Sequence, residues 1–148
     1  MWNEIYTELD KNDFLHLFGH FHDSCIKEIR YISGAFVGES LGMNPLNSTR
    51  IVDVVFQRQC RNPSAIIMRF IGVSVLHLTP CDENYTCEIQ GAKLFFKNKH
   101  IYWMDCEEER EVESYHGTWV CADKLQWRTI DAYMGDAEVF QAVFETSE

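Results

Sequence analysis

Long apolar runs are missing from this chain. Nothing in its 148 residues approaches the roughly 18 consecutive apolar side chains that a membrane helix needs, so no spanning helix is expected. Paired cysteine motifs are missing too. Cys25, Cys60, Cys81, Cys87, Cys106 and Cys121 include no Cys-x-x-Cys, and their spacings fit no zinc ribbon or finger. Basic residues are outnumbered 13 to 23, a net charge of −10. That field repels phosphate backbones and excludes nucleic acid as the main partner. The eight glycines are scattered, so there is no phosphate-cradling loop and no dinucleotide fingerprint, and the Gly-x-Ser-x-Gly of a hydrolase elbow is absent as well. Residues 1–10 lack the basic and apolar regions of a secretory signal, which makes a cytoplasmic protein with reduced thiols the expectation.

What is present is a sequence rich in core-forming residues, 46% hydrophobic and 14% aromatic. A chain of this length buries roughly two-thirds of its extended surface, enough for one domain over 1–148 without a structural metal or disulfides. Residues 10–18 read as a short helix, with Asp10 as N-cap and Asp13 in its first turn. Phe14, Leu17, Phe18 and Phe21 form one apolar stripe, and Gly19 stands where helices end in a left-handed residue.

Beyond the helix the pattern is β. Residues 25–37 read as an irregular strand in which Ile26, Ile29 and Ile32 are oddly spaced three apart, and 38–48 reads as a loop. Strands are expected over 51–59, over 65–78 with a bulge at Gly72, and over 117–129. In the last of these Trp119, Cys121, Leu125 and Trp127 are expected to share one face. A hairpin of 86–97 and 100–106 should turn at Asn98. A weak helix is expected over 131–144. Strands separated by turns rather than helices favour antiparallel pairing. The expected fold is α+β: a short N-terminal helix, then a mostly antiparallel, strongly bent sheet or partly open barrel of six or seven strands.

Two constellations invite a functional reading. His20, His22 and Asp23 fall together where the helix gives way to the first long strand, and element junctions are where side chains can leave the packing face and meet a ligand. With His16 they make His-x3-His-x-His-Asp, but His16 and His20 lie opposite the apolar stripe and no Glu follows as in His-Glu-x-x-His. Neither a metal nor another cofactor is therefore expected. Cys25 lies near His22 in sequence but follows a helix C-terminus, where a thiolate is disfavoured.

The second constellation is the acidic run 105–113, with six carboxylates in nine residues. Asp105, Glu107, Glu108, Glu109, Glu111 and Glu113, with Tyr115 beside them, read either as a solvated loop or as a surface that steers a basic protein partner. Adjacent Phe95 and Phe96, and adjacent Tyr102 and Trp103, must face opposite sides of a sheet. One of each pair needs a cover, whether a helix, a second layer or another subunit, which keeps a homo-oligomer in view.

Residues 21–29 (FHDSCIKEI) resemble the opening strand of small uncharacterised bacterial proteins in which an aromatic-His-Asp-x-x-Ile segment follows a short helix. The stretches 56–59 (FQRQ) and 117–122 (GTWVCA) share that likeness. Some of those proteins are assigned as immunity proteins of toxin–immunity systems. The resemblance implies a β-rich domain that binds another protein, and it supplies no catalytic residue. The leading expectation is a non-enzymatic protein-binding domain of immunity type. The alternatives are a small-molecule-binding or metal-assisted hydrolytic protein centred on His20, His22 and Asp23, and a structural homodimer.

Overall fold

The computed structural model describes residues 1–108 and 111–140. In chain order these form β1 (Asn3–Ile5), α1 (Glu8–Leu17), β2 (Ser24–Ile32), β3 (Phe36–Val37), β4 (Met43–Asn44), β5 (Ile51–Arg58), β6 (Ala65–His77), β7 (Lys93–Lys97), β8 (His100–Met104) and β9 (Trp119–Thr129). Seven strands make one antiparallel sheet in the order β2-β5-β6-β9-β8-β7, with β1 also paired to β9. β3 and β4 form a separate two-stranded hairpin. The α+β class is as expected from sequence. The sheet, however, stays open and is not a barrel: β2 and β7 end the strand order without pairing with each other, and an isolated bridge joins Ser24 of β2 to Ile89, ahead of β7.

The helix starts two residues earlier than expected. Thr7 is the N-cap and Asp10 the third helical residue, because the two make a reciprocal capping box. The Thr7 N–H donates to Asp10 Oδ2 at 2.9 Å, and the Asp10 N–H donates to Thr7 Oγ1 at 3.1 Å. Backbone bonds from Thr7 and Tyr6 hold the Asp10 carboxyl below its ordinary value. The buried stripe is Phe14, Leu15, Phe18 and Phe21; Leu17 is 44% exposed, so it does not belong to it.

Two irregularities explain the odd spacings. A bulge between Ile26 and Glu28 turns Ile26 and Ile29 onto the same core face, which is why isoleucines three apart serve one strand. At Gly72, whose φ is +69°, the alternation flips in β6, so Phe70 and Val73 share the core. Across the ladder Leu125 and Ala122 also share it. This flip overturns the single face expected for β9: Trp119 and Cys121 pack on the opposite side from Leu125 and Trp127.

Residues 86–92 are not strand. Their hydrogen bonds go sideways to the junction after α1, with Ile89 N–H on Ser24 O at 2.8 Å and Ala92 N–H on His20 O at 3.0 Å. The hairpin β7–β8 turns where expected, with Asn98 and Lys99 both left-handed. The adjacent rings face opposite sides, as expected, and it is Trp103 and Phe96 that face the main core while Tyr102 and Phe95 face away. Their cover is this same chain: Val112 and Tyr115, from the loop 105–118, complete a cluster with Tyr102, Met104, Trp119 and Cys121. The stated reason for a second subunit therefore lapses. The helix expected over 131–144 is not formed in its described part, 131–140. That stretch crosses the outer face of β2 and β5, where Gln57 donates to Tyr133 O and Glu28 accepts from the Phe140 N–H. Residues 141–144 lie outside the described residues. Among the described residues no helix is long and apolar enough to cross a membrane.

Candidate functional site

The junction between α1 and β2 is built around one ring. Gly19, His20 and Phe21 are all left-handed, with φ of +58°, +54° and +65°, and Asp23 follows at +59°. For non-glycine residues each such conformation costs roughly 1 kcal/mol or more. The turn that results drives Phe21 wholly out of solvent, onto Phe18 at 5.0 Å, Phe56 at 4.9 Å and Trp103 at 5.7 Å between ring centroids. Aromatic burial of this kind outweighs the local strain. Driving Phe21 inward leaves its neighbours His20 and His22 outside, both exposed.

His22 Nδ1 sits 3.0 Å from Asp23 Oδ2, and both side chains are about half exposed. The structure thus brings His22 and Asp23 together as a surface pair and leaves His20 apart, contributing only its carbonyl to Ala92. Asp23 fastens the junction through its backbone: its N–H donates to Ile89 O and its carbonyl accepts from the Gln59 N–H, each at 3.1 Å. Among the described residues no group of three or more His, Cys, Asp or Glu could hold a metal ion.

Asp23 also lines an open cleft of about 620 Å³ with Cys25, Arg58, Tyr85 and Cys87. Burial, and next the nearby Cys87, push the Cys25 thiol up, so it rests as thiol rather than as an attacking thiolate. Arg58 is almost wholly buried. Its guanidinium donates to the carbonyls of Pro63 at 2.7 Å and Leu17 at 3.2 Å and lies 4.6 Å over the Phe18 ring. It ties the end of α1 to β5 and the turn before β6, a positioning role that FQRQ did not reveal.

The acidic run divides into separate tasks. Tyr115 turns inward, half-buried, and its hydroxyl donates to Asp105 Oδ1, whose other oxygen accepts from the Thr118 N–H at 3.3 Å. Glu113 pairs with Lys97 at 3.2 Å. Glu107 lies over Gly91, where an added Cβ would come within 2.3 Å of its carboxyl carbon. Glu108 and Glu111 are exposed, and Glu109 lies outside the described residues. The exposed aromatic that was to flank an acidic surface is therefore not exposed. Tyr115 is a buttress of the loop, because its hydroxyl finds a carboxylate only by facing the sheet.

The residues that sequence reading passed over lie elsewhere. Tyr31, Ile32, Phe36, Val37, Leu41, Met43 and Leu46 are all exposed, within a segment read as strand and polar loop. The signal was available: large apolar residues recur among the Gly, Pro, Asn and Ser of 38–48, where a solvated loop has no use for them. No family model, curated protein or solved structure matches this chain. The resemblance to small bacterial proteins accordingly stands on residues 21–29, 56–59 and 117–122 alone.

Proposed function

We propose that the protein is a non-catalytic binding domain that holds another protein against residues 31–46. The observation that carries this reading is the exposure there of Phe36 (59%), Leu41 (83%) and Met43 (68%), on a hairpin that pairs with no strand of the main sheet. Val37 and Met43 are partners across this hairpin and share one face, Phe36 stands on the other, and apolar side chains left in water in such numbers mark sites of association. The segment continues from β2, an edge of the sheet, and carries a single charged residue, Glu39. The remainder of the chain is strongly acidic, so a partner with an apolar patch rimmed by basic groups fits best, and its approach is speeded by the net charge of −10. A basic toxin domain is the partner class that the sequence resemblance implies. Glu108 and Glu111 at the β7–β8 side of the sheet contribute to the field at long range and need not touch the partner.

The test is a photo-crosslinking residue placed at Leu41 and, separately, at the equally exposed Tyr85, in the cell that normally makes the protein. The expected result is a single adduct of defined mass from position 41 and none from position 85. It should disappear when Phe36 and Met43 are changed to Ser without a shift in the melting curve. An adduct made of two copies of this chain would replace the reading with the homodimer. Absence of any adduct at position 41 would refute it.

A further inference from the structure

β9 changes neighbours half-way along. β8 pairs with it from Trp119 to Ala122, and β1 pairs with it from Leu125 to Trp127, both on the side away from β6. Asp123 and Lys124 fall in the gap, so the sheet forks there. On the β6 side the Asp123 side chain packs over Gly72, where a Cβ would lie 2.4 Å from Asp123 Oδ2. In the fork is a cavity of about 410 Å³. Ile5, Ile101 and Leu125 of the main core line it with Ile71 and Phe96, and Lys99, Lys124, Glu4 and Tyr6 stand at its rim.

We propose that this cavity binds a small amphipathic carboxylic acid, its chain on the apolar residues and its carboxylate between Lys99 and Lys124. The volume is within the range of small-ligand sites, which are apolar with a few placed polar groups. Both lysines are exposed and make no ion pair among the described residues, in a chain with an excess of ten acids. Asp123, which also lines the cavity, is turned to His100, whose Nδ1 is closed to solvent 3.0 Å from its carboxylate. The Asp123 carboxylate is thus engaged at His100 and packed over Gly72. Lys99 occupies a left-handed turn position, φ +66°, where Gly or Asn would sit with less strain.

The experiment is titration of the intact protein with octanoate and with octylammonium, followed by calorimetry and by methyl NMR of Ile101 and Leu125 against Val112 as the remote control. Octanoate should saturate one site and shift the Ile101 and Leu125 methyls alone, while octylammonium should bind at least about tenfold more weakly. Lys99→Met with Lys124→Met, both at exposed positions and so without effect on the melting curve, should weaken octanoate about tenfold. Saturation by octylammonium at equal affinity, octanoate binding unchanged in the double variant, or no binding of octanoate below its micelle-forming concentration would each overturn the proposal. None of these outcomes touches the hairpin 31–46, so the protein-binding reading is tested separately.

Discussion

Replacing Asp105 by Ala separates a structural carboxylate from a run of charge. Asp105 accepts from the Tyr115 hydroxyl and from the Thr118 N–H, and Thr118 is buried at 3% exposure. Hydrogen bonds to a charged acceptor contribute about 1.5–3 kcal/mol, and a buried donor left unpaired costs about 1–3 kcal/mol. Asp105 is half-buried and the Thr118 bond is long, so water reaches part of the vacated site and the two losses do not simply add. The expected destabilisation is about 2 kcal/mol, which for a chain of this length lowers the melting temperature by roughly 4–8 °C. The control is Glu111→Gln in the same acidic run. Glu111 is exposed and engaged through its backbone carbonyl, by Ser114, so its change should stay within about 0.5 kcal/mol. A double-mutant cycle of Asp105→Ala with Tyr115→Phe should show about 1 kcal/mol of coupling. Denaturant and thermal melts of the four proteins of the cycle and of Glu111→Gln measure this. If Asp105→Ala and Glu111→Gln melt together, the loop is not clamped as described and the acidic run acts as one solvated unit.

Two further outcomes follow from the same geometry. Tyr102, hydrogen-bonded to Cys121 and buried, has its hydroxyl pushed up to about 12, so its neutral form belongs to the folded state. That contribution is complete below pH 10 and is lost as pH rises towards 12, because the unfolded chain then holds fewer protons than the folded one. Ultraviolet titration of phenolate should show Tyr102 ionising last, and Cys121→Ala should bring it down; six tyrosines ionising together near pH 10 in folded protein would contradict the packing. At the junction, Asp23→Ala should cost about 1 kcal/mol for the left-handed backbone, while Asp23→Gly should be near neutral, since the carboxylate meets only the exposed His22. A denaturant melt in which both variants lose more than about 2 kcal/mol would restore a structural role for the side chain.

The fold class and most strand positions were legible because residues 51–58 and 65–71 are short runs rich in Val, Ile and Phe bounded by turn residues, a local signal of strands, here buried on both faces. The Asn98 turn was legible for the same reason: its left-handed geometry is a property of two adjacent residues. Irregular spacing in 26–29 was visible, and the bulge there gave it meaning only once β5 was its partner. Chemistry was less legible. His20, His22 and Asp23 are adjacent in sequence, yet burial of Phe21 spreads them around a turn and leaves only His22 and Asp23 in contact.

Tertiary structure alone decided the rest. Which side chain covers Tyr102, what Asp105 binds, and that β9 forks between β8 and β1 depend on pairings between residues far apart in the chain, such as Asn3 with Trp127 and Ile101 with Ala122. Composition and periodicity report how much of a residue is to be buried, and they carry no information on which distant element buries it. That is why the sequence by itself determined an acidic α+β chain with a helix, a hairpin and a long antiparallel pattern. Only the folded sheet turned Tyr115 inward, left 31–46 in water and opened a cavity between Lys99 and Lys124.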